Sequence, residues 1–105
     1  MQIQINANGF DLTPAIDEHV RGTVTSELAH RLERLTRIEA HLGDHNGEKG
    51  GRHDKRCMLE ARPEGLDPVA VTSEGADLYD TIEDAAGKLR RALDTRFGKL
   101  EDQRH

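Results

Sequence analysis

The sequence is poor in the residues that stabilise many small folds. It has 105 residues, with one cysteine, three aromatic residues and no tryptophan. The single Cys57 excludes an internal disulfide framework and is typical of a reducing compartment. No apolar run approaches the roughly 20 residues of a membrane-spanning helix, and residues 1–6 lack the apolar centre of a signal peptide. We therefore expect a soluble, cytoplasmic protein that does not bind membranes.

Length and hydrophobic content limit the fold to one small domain. Domains of about 100–150 residues are the commonest, and we expect one domain over residues 1–100 with a short polar tail at 101–105. Only 34% of the residues are hydrophobic. The core must therefore be thin and built mainly from Leu, Ile, Val and Ala.

Charge is unevenly distributed along the chain. The formal net charge of −5 argues against a general nucleic-acid binder. However, residues 63–86 hold seven acids and no base, whereas residues 87–105 hold six bases and three acids. A partner responds to the local field within about 8–10 Å rather than to the net charge. Two interpretations stay open, a solvated surface of mixed charge or distinct acidic and basic binding surfaces.

Alternation of polar and apolar residues predicts four strands. A glycine-rich stretch without apolar anchors, residues 43–55, predicts a mobile connection between the second and third strands. The fourth strand opens at Pro68, as an edge strand tolerates. The predicted strands cover residues 2–6, 38–42, 57–62 and 69–72.

Apolar residues spaced three or four apart predict two helices. Thr13 and Pro14 suit the cap and first position of a helix that we expect to end near Arg34. The second helix follows Gly75 and has acids in its first turns and bases in its later turns, which complements the helix dipole. Its apolar arc consists of Leu78, Ile82, Ala85, Leu89, Leu93 and Leu100, bordered by Ala86, Ala92 and Phe97.

These elements predict an α+β fold of order β-α-β-β-β-α. The first helix is long enough for a right-handed crossover between two parallel strands, and the later strands suit antiparallel hairpins. The result is a four-stranded, mostly antiparallel sheet with both helices on one face. The open, polar face is expected to carry Arg37, Glu39, His41, Met58, Glu60 and Arg62.

Catalytic and metal-binding patterns are weak. His41 and His45 are four residues apart but fall in a strand and a loop, without the companion ligands of a zinc site. Cys57 shares the inward parity of Leu59, which predicts an inert core thiol. We therefore predict no enzyme activity, no metal, no cofactor and no small-molecule substrate.

Basic residues of the last helix are the better binding candidates. Lys88, Arg91 and Lys99 fall on one flank, where they suit a phosphate backbone as one row. The alternative is that these bases only complement the helix dipole.

Two more arginines of this helix lie off that row. Arg90 is predicted on the opposite flank, beside Glu83 and Asp94. Arg96 falls on the apolar arc, so its charge must snorkel or lie beyond the sheet edge.

Two segments resemble the ribosome hibernation family, and specifically its short members, the hibernation-promoting factors and ribosome-associated inhibitors. The N-terminal segment has the pattern Ile3-x-Ile5-x-x-Asn8-Gly9-x-x-Leu12-Thr13-x-Ala15-Ile16-x-x-x-Val20. The C-terminal segment has the pattern Glu74-Gly75-x-Asp77-Leu78-Tyr79-x-x-Ile82-Glu83, then Lys88-Leu89-x-Arg91-x-Leu93. The resemblance spans nearly the whole chain, so we expect a short member without the extra dimerisation domain of the long members.

This resemblance implies a bacterial stress-response factor that regulates translation. Such a factor binds the small ribosomal subunit in the channel for messenger and transfer RNA and holds the ribosome idle. We expect a monomer in solution. Ribosomal RNA contacts are expected at Lys88, Arg91 and Lys99, with further basic candidates at Arg90, Arg96, Arg37 and Arg62.

The alternative is a divergent regulatory module of the same fold. Asp94, Thr95 and Phe97 stand where the family tends to be basic. In that case the acidic block over residues 64–84 would meet a basic partner protein, and ribosome binding would be weak or absent.

Overall fold

The computed structural model describes residues 1–44 and 54–103. Within these ranges the chain has the order β-α-β-β-β-α, so the predicted order is confirmed. A short 3-10 helix, Leu32–Arg34, precedes the second strand. The main elements are β1 Gln2–Asn8, α1 Pro14–Glu27, β2 Leu35–Asp44, β3 Lys55–Pro63, β4 Val69–Gly75 and α2 Leu78–Gln103.

Across the described residues, the strands form one four-stranded sheet in the order β1-β2-β3-β4. β1 and β2 are parallel, whereas β2–β3 and β3–β4 are antiparallel. Parallel neighbours need a crossover of about a dozen residues or more, and the segment containing α1 supplies it. The predicted α+β class and mostly antiparallel sheet are confirmed.

Both helices cover the same face of the sheet, as predicted. α2 packs on β3 and β4 and also against α1. Burying these apolar surfaces stabilises the fold by roughly 25 cal/mol per Å². The buried core consists of Val20, Val24, Leu28, Leu35, Ile38, Ala40, Leu42, Cys57, Leu59, Ala61, Val69, Ile82, Ala85, Ala86, Leu89, Leu93 and Phe97.

α1 ends at Glu27, so the prediction of a helix reaching Arg34 is wrong. Its start is as predicted, because Thr13 Oγ1 accepts a hydrogen bond from the Ile16 N–H at 3.2 Å. A helix rises much less per residue than a strand, so α1 and the shorter β1 have nearly the same length, roughly 20 Å each. A helix continued to Arg34 would overshoot the sheet.

The strands are longer than the alternation predicted. Asp44 and Lys55 are register partners at the ends of β2 and β3, and the Lys55 Nζ lies 2.9 Å from Asp44 Oδ2. Gly43, Asp44 and Lys55 therefore belong to strands rather than to the predicted mobile connection. The rest of that prediction, at residues 45–53, lies outside the described residues. The division into a domain over 1–100 and a tail stays a prediction, and α2 itself runs to Gln103.

Gly9 closes the turn after β1 at a place where no side chain fits. Its φ is +91°, and a Cβ there would lie 2.4 Å from the Asp44 carbonyl oxygen. Glycine adopts positive φ without steric cost. Gly9 therefore allows the turn to pack against the end of β2.

Ion pairs connect α2 to α1 and to the residues that follow α1. His19 Nε2 lies 3.3 Å from Glu83 Oε2. The Arg90 Nε donates to Glu27 Oε1 at 2.7 Å. Arg90 was predicted beside Glu83 and Asp94, and the structure adds the Glu27 partner from α1, which spacing within α2 alone does not show.

Asp94 and Phe97 anchor the chain just beyond α1. The Arg31 Nε donates to Asp94 Oδ1 at 3.2 Å, and His30 Nε2 lies 3.2 Å from the same oxygen. The ring of Phe97 is buried, with the Arg31 and Arg34 guanidinium carbons 4.9 and 4.0 Å from its centroid. A cation over an aromatic face is attracted by the ring quadrupole. The acid and the aromatic residue in the basic half of α2 therefore have structural roles.

We predict that Gly9→Ala lowers the free energy of unfolding by about 1–3 kcal/mol, the usual cost of a strained backbone conformation. Gly22→Ala is the matched control, since nothing lies within 4 Å of a Cβ at that exposed position in α1. It should instead raise stability by about 0.5–1 kcal/mol. Urea unfolding of both variants measures the difference, and equal effects would contradict the close packing of Gly9.

We predict that Cys57 resists alkylation in the native protein. Its side chain is fully buried, and burial raises the pKa of the thiol to about 12. The reactive thiolate is therefore absent near pH 8. Cys57→Ala should lower stability by about 1 kcal/mol. Rapid labelling without denaturant would show that this strand face is exposed.

We predict that Asp94→Asn weakens the fold at neutral pH and that its effect disappears in acid. Burial alone would raise the pKa of Asp94, but hydrogen bonds with His30 and Arg31 outweigh it and hold the pKa below its ordinary value. The stabilisation is present above the ordinary aspartate pKa of about 3.9 and is lost as pH falls through the folded value. The expected loss at pH 7 is below about 1 kcal/mol, because the carboxylate is partly exposed.

The measurement for Asp94→Asn is urea unfolding of both proteins between neutral pH and acid. Their unfolding free energies should converge as pH falls. A difference that stays constant into strong acid would contradict the ionised role of Asp94.

Candidate nucleic-acid interface

The two flanks of α2 have different surroundings. The flank towards α1 carries Glu83, Arg90 and Asp94, which pair with α1 or with the residues just after it. The opposite flank lies beside β4, an edge strand among the described residues. We call this second side the outer flank, and it carries the predicted basic row of Lys88, Arg91 and Lys99.

Lys88 makes contacts within the protein. Its Nζ donates to the Thr72 carbonyl of β4 at 3.1 Å and lies 3.6 Å from Asp84 Oδ2. The Ser73 hydroxyl donates to Asp84 and holds the pKa of that carboxyl below its ordinary value. Asp84 is therefore ionised at neutral pH. Lys88 thus protects the edge of the sheet as well as adding charge to the outer flank.

Arg91 and Lys99 are the available cations of the outer flank. Both side chains are exposed, and neither forms a hydrogen bond or ion pair with any described residue. They are eight positions apart, which is about 12 Å along a helix. Exposed Thr95 lies between them on the same flank. The two charges are held on a rigid support with a polar surface between them.

Arg96 contacts the turn between β3 and β4. Its Nη1 donates to the Asp67 carbonyl at 3.1 Å, in the turn between β3 and β4. The guanidinium is therefore engaged in holding this turn against α2.

The two arginines of the open sheet face share carboxylates. Arg37 donates to Glu39, and the Arg62 Nη2 lies 3.6 Å from Glu39 Oε2 and 3.3 Å from Glu60 Oε1. Arg37 is the main cause of a lowered pKa at Glu39. Arg37 and Arg62 are also register partners on β2 and β3. The candidates on this face thus lie in a network of balanced charge.

Arg56 is an exposed cation that the sequence interpretation did not select. It lies on β3 at the same parity as Met58, and its register partner on β4 is Glu74. No hydrogen bond or ion pair joins it to another described residue. The strand parity that placed Met58 on the open face also applies to Arg56 and could have identified it.

The acidic block lies mainly where β4 passes into α2. Glu74, Asp77 and Asp80 are exposed there. Asp77 has a structural role, because its carboxylate accepts the Asp80 N–H at 3.0 Å and caps α2. The block therefore forms one end of the domain, and the basic half of α2 lies towards the other.

Two other features, a metal site and a membrane-spanning helix, are absent from the described residues. Within residues 1–44 and 54–103, no group of three or more His, Cys, Asp or Glu side chains is placed to hold a metal ion. Among the described helices, none combines the length and apolar character needed to cross a membrane.

Comparison with known proteins identifies the family of this chain. Residues 3–101 match the family described as Sigma 54 modulation protein / S30EA ribosomal protein. A ribosome hibernation promoting factor from Acinetobacter guillouiae is 31% identical over 98 residues, covering 90% of this chain and 85% of that protein.

Two solved structures share the fold. A ribosomal subunit interface protein from Coxiella burnetii superposes with a TM-score of 0.75 at 20% identity, over 93% of this chain and 99% of that one. The N-terminal domain of Thermus thermophilus Protein Y gives a TM-score of 0.72 at 24% identity, over 92% and 99% of the two chains. These two structures therefore have the same fold as this chain.

The family match over residues 3–101 and the 31% identical relative therefore confirm the resemblance seen in the N-terminal and C-terminal patterns. The chain belongs to the ribosome hibernation-promoting factor family, described as Sigma 54 modulation protein / S30EA ribosomal protein.

Proposed function

We propose that this chain binds the small ribosomal subunit through ribosomal RNA phosphates and holds the ribosome idle by occupying the channel for messenger and transfer RNA. The family is one of ribosome-associated factors. The observation that carries the proposal is the pair of exposed cations, Arg91 and Lys99, which form no hydrogen bond or close ion pair with a described residue. The charge of Arg91 also helps to lower the pKa of Asp84. Lys88 adds a third charge to the same flank.

The predicted RNA contacts can be ranked by whether each cation is already engaged within the protein. Arg91 and Lys99 can bind phosphate without breaking a contact, whereas Lys88 must leave Thr72 or share its donors. Arg90 and Arg96 are held by Glu27 and by the Asp67 carbonyl. Contacts from these two, and from Arg37 and Arg62, are secondary candidates in the proposal.

The net negative charge is compatible with RNA binding. At physiological salt, charges more than about 8 Å apart are largely screened from each other. The acids at the start of α2 therefore weaken the field at Lys99 only slightly. They also favour one orientation, since RNA attracts the basic half of α2 and repels the acidic end.

The proposed mechanism is steric and involves no reaction. Phosphate contacts fix the position of the domain, and its packed volume then excludes transfer and messenger RNA from the channel. A folded core is close-packed and does not yield to a competing ligand. We place this activity in the cytoplasm and expect the protein to act as a monomer.

Adjacent arginines on opposite flanks give a matched test. Arg91→Gln and Arg90→Gln remove the same charge from neighbouring positions of α2. We predict that Arg91→Gln weakens co-sedimentation with small ribosomal subunits, and that Arg91→Gln with Lys99→Gln weakens it further. Arg90→Gln should weaken binding less than Arg91→Gln does, and it should melt at a lower temperature because Glu27 loses its partner.

Salt dependence tests the phosphate contacts themselves. Each lost contact should reduce the slope of log affinity against log salt by about 0.7 to 0.9. Equal binding by the double variant and the unchanged protein would overturn the outer-flank interface. If charge removal at Arg37 and Arg62 abolished binding instead, the open sheet face would be the interface.

The alternative function has its own signature. A protein that fails to co-sediment with small subunits at low salt, yet co-purifies with one basic protein from nuclease-treated extract, would be a regulatory module. Reversing charges in the acidic block should then release that partner.

A further inference from the structure

A groove opens on the face of the sheet opposite to the helices, where β1 and β2 end and β3 begins. Its volume is about 340 Å³, within the range of about 300–1,000 Å³ that is common for small-ligand pockets. Asn6, Asn8, His41, Arg56 and Met58 contribute to its walls. The helices cover the other face, so this groove is separate from the outer flank of α2.

Strand register explains why a groove forms here. Asn8, Gly43 and Arg56 are register partners across β1, β2 and β3. Gly43 has no side chain, so a gap remains in the middle of this row between an amide and a guanidinium. The next row along the sheet, Asn6, His41 and Met58, forms the end of the groove.

Among the described residues that line the groove, none has a carboxylate side chain. Arg56 is exposed and has no ion pair with a described residue. His41 Nε2 lies 3.5 Å from Glu39 Oε1, which restricts the rotation of the imidazole ring. Glu74 is the register partner of Arg56 on β4.

From this arrangement we propose that the groove binds one unpaired nucleotide of RNA, with the base over Gly43 and its phosphate at Arg56. The inference rests on the proposed function for its ligand class. Proteins recognise unpaired RNA bases by stacking on side chains such as histidine and by hydrogen bonds to the base edges. The amides of Asn6 and Asn8 offer both donors and acceptors for such an edge, and Met58 offers an apolar surface.

The groove and the outer flank contact RNA on different sides of the domain. The outer flank of α2 supplies phosphate contacts, which position a protein without reading sequence. The groove supplies contacts to a base. A domain that contacts RNA from two sides suits a channel with RNA walls, and the groove adds selectivity for a site with an unstacked nucleotide.

Filling the gap tests the groove without removing a charge. Gly43 is not among the glycines with positive φ, so Gly43→Val introduces no backbone strain. Gln2→Val is the matched control, since Gln2 is exposed at the far end of β1 on the same face. The probe is the single-stranded hexanucleotide A6 RNA, titrated into the ¹⁵N-labelled full chain, with adenosine monophosphate in a parallel titration.

We predict that A6 RNA shifts the amide signals of Asn8, Gly43 and Arg56 in the unchanged protein. Gly43→Val should weaken this binding at least about fivefold, the lower end for losing one stacked base, and Gln2→Val should not. Arg56→Gln is the second variant and should reduce the salt slope by about 0.7. Adenosine monophosphate should bind more weakly than the hexanucleotide.

The outcomes separate this inference from the proposed function. Unmoved groove signals, or equal binding by Gly43→Val, would overturn the groove even if small-subunit binding through Arg91 persists. Tighter binding of the mononucleotide than of RNA would overturn the RNA assignment. Groove shifts in a protein that does not co-sediment with small subunits would support the groove and refute the proposed function.

Discussion

The whole structure depends on burying one apolar face of a four-stranded sheet. Only 34% of the residues are hydrophobic and three are aromatic. These apolar side chains are enough to form a single layer between the sheet and the helices. Both helices must therefore lie on that face, and the other sheet face stays polar. Two consequences follow for function. The open face can hold a groove at Gly43, and α2 has one flank against α1 and another towards solvent.

The two flanks of α2 carry charges with different roles. Charges on one flank stabilise the fold, and cations on the other are available to bind RNA. Glu83, Arg90 and Asp94 face α1 or the residues after it and have opposite charges or imidazoles there. Arg91 and Lys99 lie on the other flank and form no hydrogen bond or close ion pair with a described residue. Adjacent arginines thus differ in role because successive residues point in different directions around a helix. This arrangement reconciles a net charge of −5 with a local surface suited to RNA.

At both edges of the sheet, a basic side chain from a helix donates a hydrogen bond to a strand carbonyl. Arg21 of α1 donates to the Ile3 carbonyl of β1 at 3.1 Å, and Lys88 of α2 donates to the Thr72 carbonyl of β4 at 3.1 Å. Unpaired strand edges promote association with other chains. Each helix therefore occupies a carbonyl on the edge strand beside it.

Periodicity predicted the elements, their order and the buried residues, including the inward parity of Cys57 and the polar face around Glu39. It could not predict where α1 ends, because Leu32 and Leu35 continue the helical spacing although Leu35 belongs to β2. Partners from distant parts of the chain, such as Glu27 for Arg90, follow only from the packing of the helices. The groove was missed for a similar reason, since the gap at Gly43 exists only once its register partners are known.

The most direct test of the central claim is a cryo-EM structure of the chain bound to the small ribosomal subunit. We predict density for the domain in the channel for messenger and transfer RNA, with Arg91 and Lys99 about 3 Å from phosphate oxygens. The flank carrying Arg90 should remain closed against α1. A complex in which the outer flank of α2 faces solvent, or in which the domain binds outside that channel, would contradict the account.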